Sequence, residues 1–173
     1  DSVAAGDNIR PYAQDVAIGD EVLQAGEKLL PWHLGLLASV SVPDIAVYQP
    51  LRVAVLSTGD ELPEPGEVPR PGKIFNSNRY QLLALLQQCG FEAIDGGRVE
   101  DNAAATERAL SELAGKADVM VTTGGVSVGD EDHVRAAVEQ LGELALWKIA
   151  IKPGKPFAFG SIGKTYFVGL PGN

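Results

Sequence analysis

A regular alternation of apolar runs and amphipathic stretches begins at Leu51, and it limits the possible folds more than any other feature of the chain. Each apolar run is short and nearly continuous, as in a parallel strand that is covered on both faces. The stretches between the runs repeat their apolar residues at helical spacing. Strands are predicted at 51–56, 91–99, 118–122 and 144–150, and helices from an Asn76 or Asn78 cap to Gly90, at 103–114 and at 130–141.

This order of elements predicts a three-layer α/β/α sandwich with a mostly parallel sheet over residues 50–173. A further strand pair is expected at 156–159 and 165–168. Ligands of such sheets bind at the carboxyl ends of the strands. Functional residues are therefore expected in the loops 57–61, 98–102, 122–132 and 150–156.

Residues 1–49 lack this regularity and form a separate predicted segment. Gly19-Asp20 and Ala25-Gly26 are turn signals that break short predicted strands between Val16 and Leu30. Pro31 suits the first position of a short helix. We expect a small β-rich part of a linker domain that belongs to a longer protein, which also continues beyond Asn173.

Several single residues are expected to be structural. Apolar residues at helical spacing are predicted to face the sheet, and Cys89, Trp147 and Phe157 are expected in the core. The inward set comprises Leu82, Leu83, Leu85, Leu86, Thr106, Ala109, Leu110, Leu113, Val134, Ala137, Val138 and Leu141. A single cysteine excludes an intramolecular disulfide, which suits a reducing compartment such as the cytoplasm.

The charge balance argues against two classes of partner. The chain has 14 basic and 23 acidic residues, a formal net charge of −9. General binding to nucleic acid or to an anionic membrane is therefore disfavoured. No apolar run approaches the length of a membrane span. A small anionic ligand is still compatible, because its pocket needs only local positive charge.

A glycine-rich loop at 122–132 follows the third predicted strand. Gly124, Gly125 and Gly129 would let the backbone approach an oxyanion beside the start of a helix, although a plain strand-to-helix turn explains them equally well. Residues 125–129 also match G-x-S-x-G, the nucleophile elbow of hydrolases. The later histidine that such a triad needs is His133 alone, which lies too close in sequence.

Opposite charges gather at neighbouring strand ends. Carboxylates follow three strands, where they would bind Mg²⁺ or a ligand N–H edge, or would merely cap helices. These carboxylates are Asp60, Glu61, Asp101, Asp130, Glu131 and Asp132. Lys148 lies in the fourth predicted strand, and Lys152 and Lys155 follow it. The natural ligand of these lysines is an oxyanion. An exposed edge with extended lysine side chains is the alternative.

Together these loops resemble the molybdopterin molybdenumtransferase family, which includes bacterial MoeA and the gephyrin and plant Cnx E domains. The resemblance rests on the runs 57–62, 123–129, 148–156 and 169–173, which occur in the family's order. It implies insertion of molybdate into adenylylated molybdopterin with release of AMP, assisted by Mg²⁺, in a homodimer.

The resemblance also assigns roles to individual residues. It implies functional roles for Asp60, Glu61, Asp101, Asp132, Lys148, Lys152 and Pro171. The carboxylates would bind Mg²⁺ or the pterin, and the lysines would offset anionic charge. Ligand contacts are expected from Thr58, Gly59, Gly124, Gly125, Ser127, Lys155 and Pro171. The alternatives are the preceding adenylyltransferase step, which uses the same fold, and a non-catalytic pterin-binding or scaffold module.

Overall fold

The computed structural model describes residues 3–60, 62–68, 71–125, 133–147, 149 and 157–172. The chain divides into two compact units, Asp1–Tyr48 and Gln49–Asn173. Each unit is described by itself. No helix in these described ranges is long and apolar enough to cross a membrane.

The first unit is built largely from repeated tight turns. Three of these turns span residues 4–7, 17–20 and 24–27. In each, the backbone N–H of the last residue (Asp7, Asp20 or Glu27) donates to the carbonyl of the first residue, and the carboxylate of the last residue accepts from the N–H of the first. The third residue is a glycine with positive φ: Gly6, Gly19 and Gly26, at 99°, 96° and 86°. A type II turn requires this conformation at that position. The turn signals at Gly19 and Gly26 are thus confirmed.

The same unit contains one helix, α1 (Pro31–Ser39), among its described residues. Pro31 occupies the first helical turn, as predicted. His33 Nδ1 accepts a hydrogen bond from the backbone N–H of Leu30 at 3.3 Å. The short strands expected between Val16 and Leu30 are not formed, because the hydrogen bonds in this range close local turns instead of pairing with a second strand.

The second unit contains the alternating elements predicted from Leu51 onward. They are β1 (Arg52–Thr58), α2 (Ser77–Gln88), β2 (Glu92–Val99), α3 (Ala103–Ala114), β3 (Val119–Thr123), α4 (His133–Leu141), β4 (Glu143–Trp147), β5 (Ala158–Ile162) and β6 (Thr165–Leu170). The Asn102 side chain accepts from the Ala105 N–H at 2.8 Å and caps α3, as its sequence position predicted.

All six strands form one mixed sheet in the order β2-β1-β3-β6-β5-β4. The pairs β1–β2, β1–β3 and β3–β6 are parallel, whereas β5 runs antiparallel to both neighbours. Two successive reversals leave β4 parallel to β6. The carboxyl ends of five strands therefore lie at one edge of the sheet, which we call the carboxyl edge.

Helices cover both faces of this sheet. Ala54 and Leu56 of β1 pack in one core cluster with residues of α3 and α4. The alternate side chain of Ser57 points to the other face and hydrogen-bonds Asn76, which precedes α2. Helix α2 therefore lies opposite α3 and α4. The α/β sandwich with a largely parallel sheet is confirmed.

Burial on the α2 face differs from the expectation. No residue of α2 is fully buried, and Leu85 is 49% exposed. Cys89 is exposed as well, so its prediction as a core residue was wrong. The physical reason is that α2 packs on β1 and on β2, which is the edge strand, so part of the helix overhangs the sheet. Trp147 is half-buried and packs against the core cluster.

Candidate functional site

The described parts of three motif runs, 57–62, 123–129 and 169–173, meet at the carboxyl edge because β1, β3 and β6 are adjacent parallel strands. The Gly124 N–H donates to the Leu170 carbonyl at 3.2 Å. A Cβ placed on Gly172 would lie 3.3 Å from the Gly124 Cα, so the chain leaving β6 passes directly over Gly124. Pro171 lies between these two contacts in the sequence.

Gly124 and Gly125 are required by their surroundings. Both have positive φ, 89° and 66°. A Cβ on Gly124 would lie 2.8 Å from the Thr58 carbonyl oxygen, and a Cβ on Gly125 would lie 2.2 Å from Val134 Cγ2. The end of β3 therefore packs against the end of β1 and the start of α4 with no room for a side chain.

Asp60 and Asp101 follow neighbouring strands and are joined by a hydrogen bond. The Asp101 N–H donates to Asp60 Oδ1 at 3.1 Å, and the Gly59 N–H donates to the Val99 carbonyl at 3.3 Å. The Asp60 carboxylate thus contacts the backbone of Asp101, and the convergence of the two carboxylates themselves stays a prediction. Their oxygens are the ligand type that Mg²⁺ prefers.

A buried polar cluster lies beneath these loops. Ser57 Oγ donates to Asn76 Oδ1 at 3.1 Å and lies 2.9 Å from Thr123 Oγ1. Asn76 Nδ2 and Thr58 Oγ1 are buried and have no hydrogen-bond partner among the described residues. Asn76 was one of the two expected helix caps, but its side chain makes no capping bond, because its oxygen accepts from Ser57 instead.

An arginine clamp fixes the loop that follows β1. Arg79 of α2 donates to Asp95 of β2 at 2.6 and 2.7 Å and to Glu64 of the loop at 2.7 Å. The Arg79 side chain is only 12% exposed. Hydrogen bonding to Arg79 holds the pKa of Asp95 below its ordinary value. Sequence analysis missed this clamp, since its members are distant along the chain.

Sequence analysis also missed a groove of about 510 Å³ beside Asp60. Lys73 and Arg98 lie on its wall. Each was visible only as a single basic residue near a strand end or a Pro-Gly turn, which is too weak a signal to find.

The remaining predicted site residues fall outside the described ranges. They are Glu61, Ser127, Asp132, Lys148, Lys152 and Lys155. Thr58, Gly59, Asp60, Asp101, Gly124, Gly125 and Pro171 are described, and all lie at the carboxyl edge. Groups of three or more Asp, Glu, His or Cys side chains placed to hold a metal do not occur within the described part of the chain.

The fold and the loop geometry define an α/β domain with its candidate ligand site at the carboxyl edge of the sheet. Residues 54–173 match the family model described as "Probable molybdopterin binding domain". The chain belongs to this family.

Longer proteins contain segments similar to this chain. The molybdopterin molybdenumtransferase of Haemophilus influenzae is 47% identical over 166 residues, which are 96% of this chain and 41% of that protein. The molybdenum cofactor synthesis protein cinnamon of Drosophila melanogaster is 37% identical, over 98% of this chain and 28% of that protein. The chain thus spans less than half the length of these relatives.

A solved structure shares the fold. The molybdopterin biosynthesis MoeA protein from Pyrococcus horikosii superposes with a TM-score of 0.74 at 33% identity, covering 85% of this chain and 36% of that one. The family resemblance expected from the four motifs is confirmed.

Proposed function

We propose that this chain is the molybdopterin-binding part of an enzyme that inserts molybdate into adenylylated molybdopterin and releases AMP. The observation that carries the proposal is the meeting of three motif loops at Gly124, which contacts Thr58 on one side and Leu170 and Gly172 on the other. The names of the relatives at 37% and 47% identity support molybdenum cofactor biosynthesis, and the name of the relative at 47% identity favours the transferase over the adenylyltransferase or scaffold alternatives.

The described residues suggest a division of roles. Gly124 and Gly125 lie where the three motif loops meet and are proposed to contact a pterin or a phosphate through their backbone. The Thr58 hydroxyl beside them has no partner among the described residues and is proposed as a further donor or acceptor. Pro171 fixes the direction of the chain where it passes over Gly124. These contacts would orient the ligand without taking part in bond changes.

Asp60 and Asp101 are proposed as carboxylates for Mg²⁺ or for the N–H edge of the pterin. They supply hard oxygen ligands at adjacent strand ends, which fits a hydrated Mg²⁺. Glu61 and Asp132 are proposed as further carboxylates of the same site. When bound, the ion would offset phosphate charge. Lys148, Lys152 and Lys155 are proposed to contribute positive charge toward molybdate or phosphate, and Ser127 to contact the ligand.

Association into a homodimer and a cytoplasmic location complete the proposal. The homodimer rests on the family resemblance and is testable by sedimentation. The cytoplasmic location rests on the single cysteine and is testable by fractionation of cells.

The reaction is tested with the full natural protein that contains these residues. Adenylylated molybdopterin and molybdate are supplied with Mg²⁺, and released AMP is measured. We expect Asp60→Asn and Asp101→Asn to lower AMP release by at least about tenfold, since each removes a carboxylate proposed to bind Mg²⁺ or the N–H edge of the pterin. Glu112→Gln, an exposed carboxyl on α3, is the control and should retain full activity. No AMP release by the unaltered protein would refute the transferase assignment.

A further inference from the structure

A groove of about 510 Å³ lies between the loop after β1 and the end of β2. Its lining residues are Asp60, Pro63, Gly66, Glu67, Val68, Lys73 and Arg98. This volume is within the range of small-ligand sites. The groove borders the candidate site at Asp60 but extends away from Gly124 along the loop.

Two cations on the groove wall are held by neutral groups. Lys73 Nζ donates to the Asp60 carbonyl at 3.0 Å, and Arg98 Nη1 donates to the Leu62 carbonyl at 3.0 Å. A carbonyl positions a cation without cancelling its charge. Lys73 keeps two further N–H donors and Arg98 keeps four.

Other arginines of the same unit are neutralised directly. Arg52 pairs with Asp118 at 2.8 Å, and Arg79 pairs with Glu64 and Asp95 at 2.7 and 2.6 Å. Within the described ranges neither Lys73 nor Arg98 forms an ion pair. The fold thus positions both cations of the groove through backbone carbonyls and without a direct ion pair among the described residues.

The carboxylates in the groove limit which anions can bind there. Asp60 directs Oδ1 to the Asp101 N–H. Glu67 lies on the same lining as Lys73 and Arg98. A fully deprotonated dianion would be repelled by Glu67, whereas a group that carries an O–H can donate to it.

We propose that Lys73 and Arg98 form a binding site for a phosphate group, either free hydrogen phosphate or a phosphate monoester. The planar guanidinium of Arg98 matches two phosphate oxygens, and Lys73 supplies a point charge beside it. Glu67 accepts from a protonated phosphate oxygen or from a hydroxyl of the ester. This site does not depend on the transferase reaction, because phosphate binding is measured directly.

The test is a nuclear magnetic resonance titration of the ¹⁵N-labelled chain at constant ionic strength. Inorganic phosphate, AMP and molybdate are the three probes. We expect saturable shifts of the Gly66, Val68, Lys73 and Arg98 amides with phosphate or AMP, and weaker shifts with molybdate, which has no O–H at neutral pH. A lower Kd for AMP than for phosphate identifies a monoester as the ligand, and equal or weaker AMP binding identifies free phosphate.

Matched variants decide the assignment. Lys73→Ala and Arg98→Ala should each raise the Kd for phosphate about five- to tenfold, and Arg98→Lys should raise it less. Arg108→Ala and Lys164→Ala remove exposed cations elsewhere and should leave the Kd unchanged. The dispersion of each spectrum reports whether the variant is folded. Absence of saturable shifts, equal weakening in the control variants, or tighter binding of molybdate than of phosphate would overturn the proposal.

Discussion

The two edges of the sheet differ in whether their polar side chains have hydrogen-bond partners. At the edge where the parallel strands begin, Arg52 donates to both oxygens of Asp118, and Thr165 Oγ1 lies 2.6 and 2.7 Å from the Ala114 and Ala117 carbonyls. Near the carboxyl edge, Thr58 Oγ1 and Thr122 Oγ1 are buried and have no partner among the described residues. Buried polar groups without partners cost stability. The first edge therefore satisfies these polar groups within the fold, whereas the carboxyl edge leaves buried hydroxyls unsatisfied within the described ranges.

The largest expected difference in stability between the edges comes from alanine substitutions at two glycines with similar φ. Gly125 lies at the carboxyl edge with φ 66°, and Gly163 lies at the opposite edge with φ 60°. A Cβ at Gly125 would meet Val134 Cγ2 at 2.2 Å, whereas a Cβ at Gly163 meets nothing within 4 Å. We expect Gly125→Ala to lower the free energy of unfolding by about 2–4 kcal/mol and Gly163→Ala by about 1 kcal/mol. Urea unfolding measures both, and equal losses would contradict the close packing at Gly125.

Replacing threonine by valine should change the free energy of unfolding in opposite directions at the two edges. Thr165→Val removes a buried hydroxyl that bonds backbone carbonyls, so it should lower the free energy of unfolding by about 1–2 kcal/mol. Thr122→Val replaces an unpartnered hydroxyl by a methyl group and should raise it by up to about 1 kcal/mol. The midpoints of urea unfolding of the two variants are compared with that of the unaltered protein. Destabilisation by Thr122→Val would contradict the prediction and show that the Thr122 hydroxyl has a partner in solution.

The smallest effect is a pH dependence at the edge where the strands begin. Hydrogen bonding to Arg52 lowers the pKa of Asp118 from its ordinary value of 3.8. A lowered pKa contributes stability above the ordinary value, and that stability is lost as the pH falls through the folded pKa. The stability difference between the unaltered protein and Asp118→Asn should therefore shrink below about pH 3.8 and at high salt. A difference that stays constant from pH 6 to pH 2 would contradict this pair; Glu112→Gln controls for removal of an exposed carboxylate.

Local signals predicted more of this molecule than distant ones. The Asn102 cap and the Gly19 and Gly26 turns depend on residues within four positions, and the structure has them as expected. The burial of Leu85 and Cys89 was predicted wrongly, because it depends on β2 being the edge strand, which periodicity does not reveal. Of the candidate site, the meeting of the strand ends followed from strand order. The groove of Lys73 and Arg98 could not be predicted from strand order, because the path of the loop brings these two residues to the same groove.

The position of β6 has a consequence for how the chain is made. This strand is the last of the six in sequence, yet it joins β3 to β5 in the middle of the sheet. Until it emerges from the ribosome, β3 has an unpaired edge and β4 and β5 have no link to the other strands. Phe167, which is completely buried in the finished core, arrives at the same time. Nascent chains that stop before residue 165 should therefore expose an open strand edge and bind chaperones or aggregate, and completion of β6 should end that exposure.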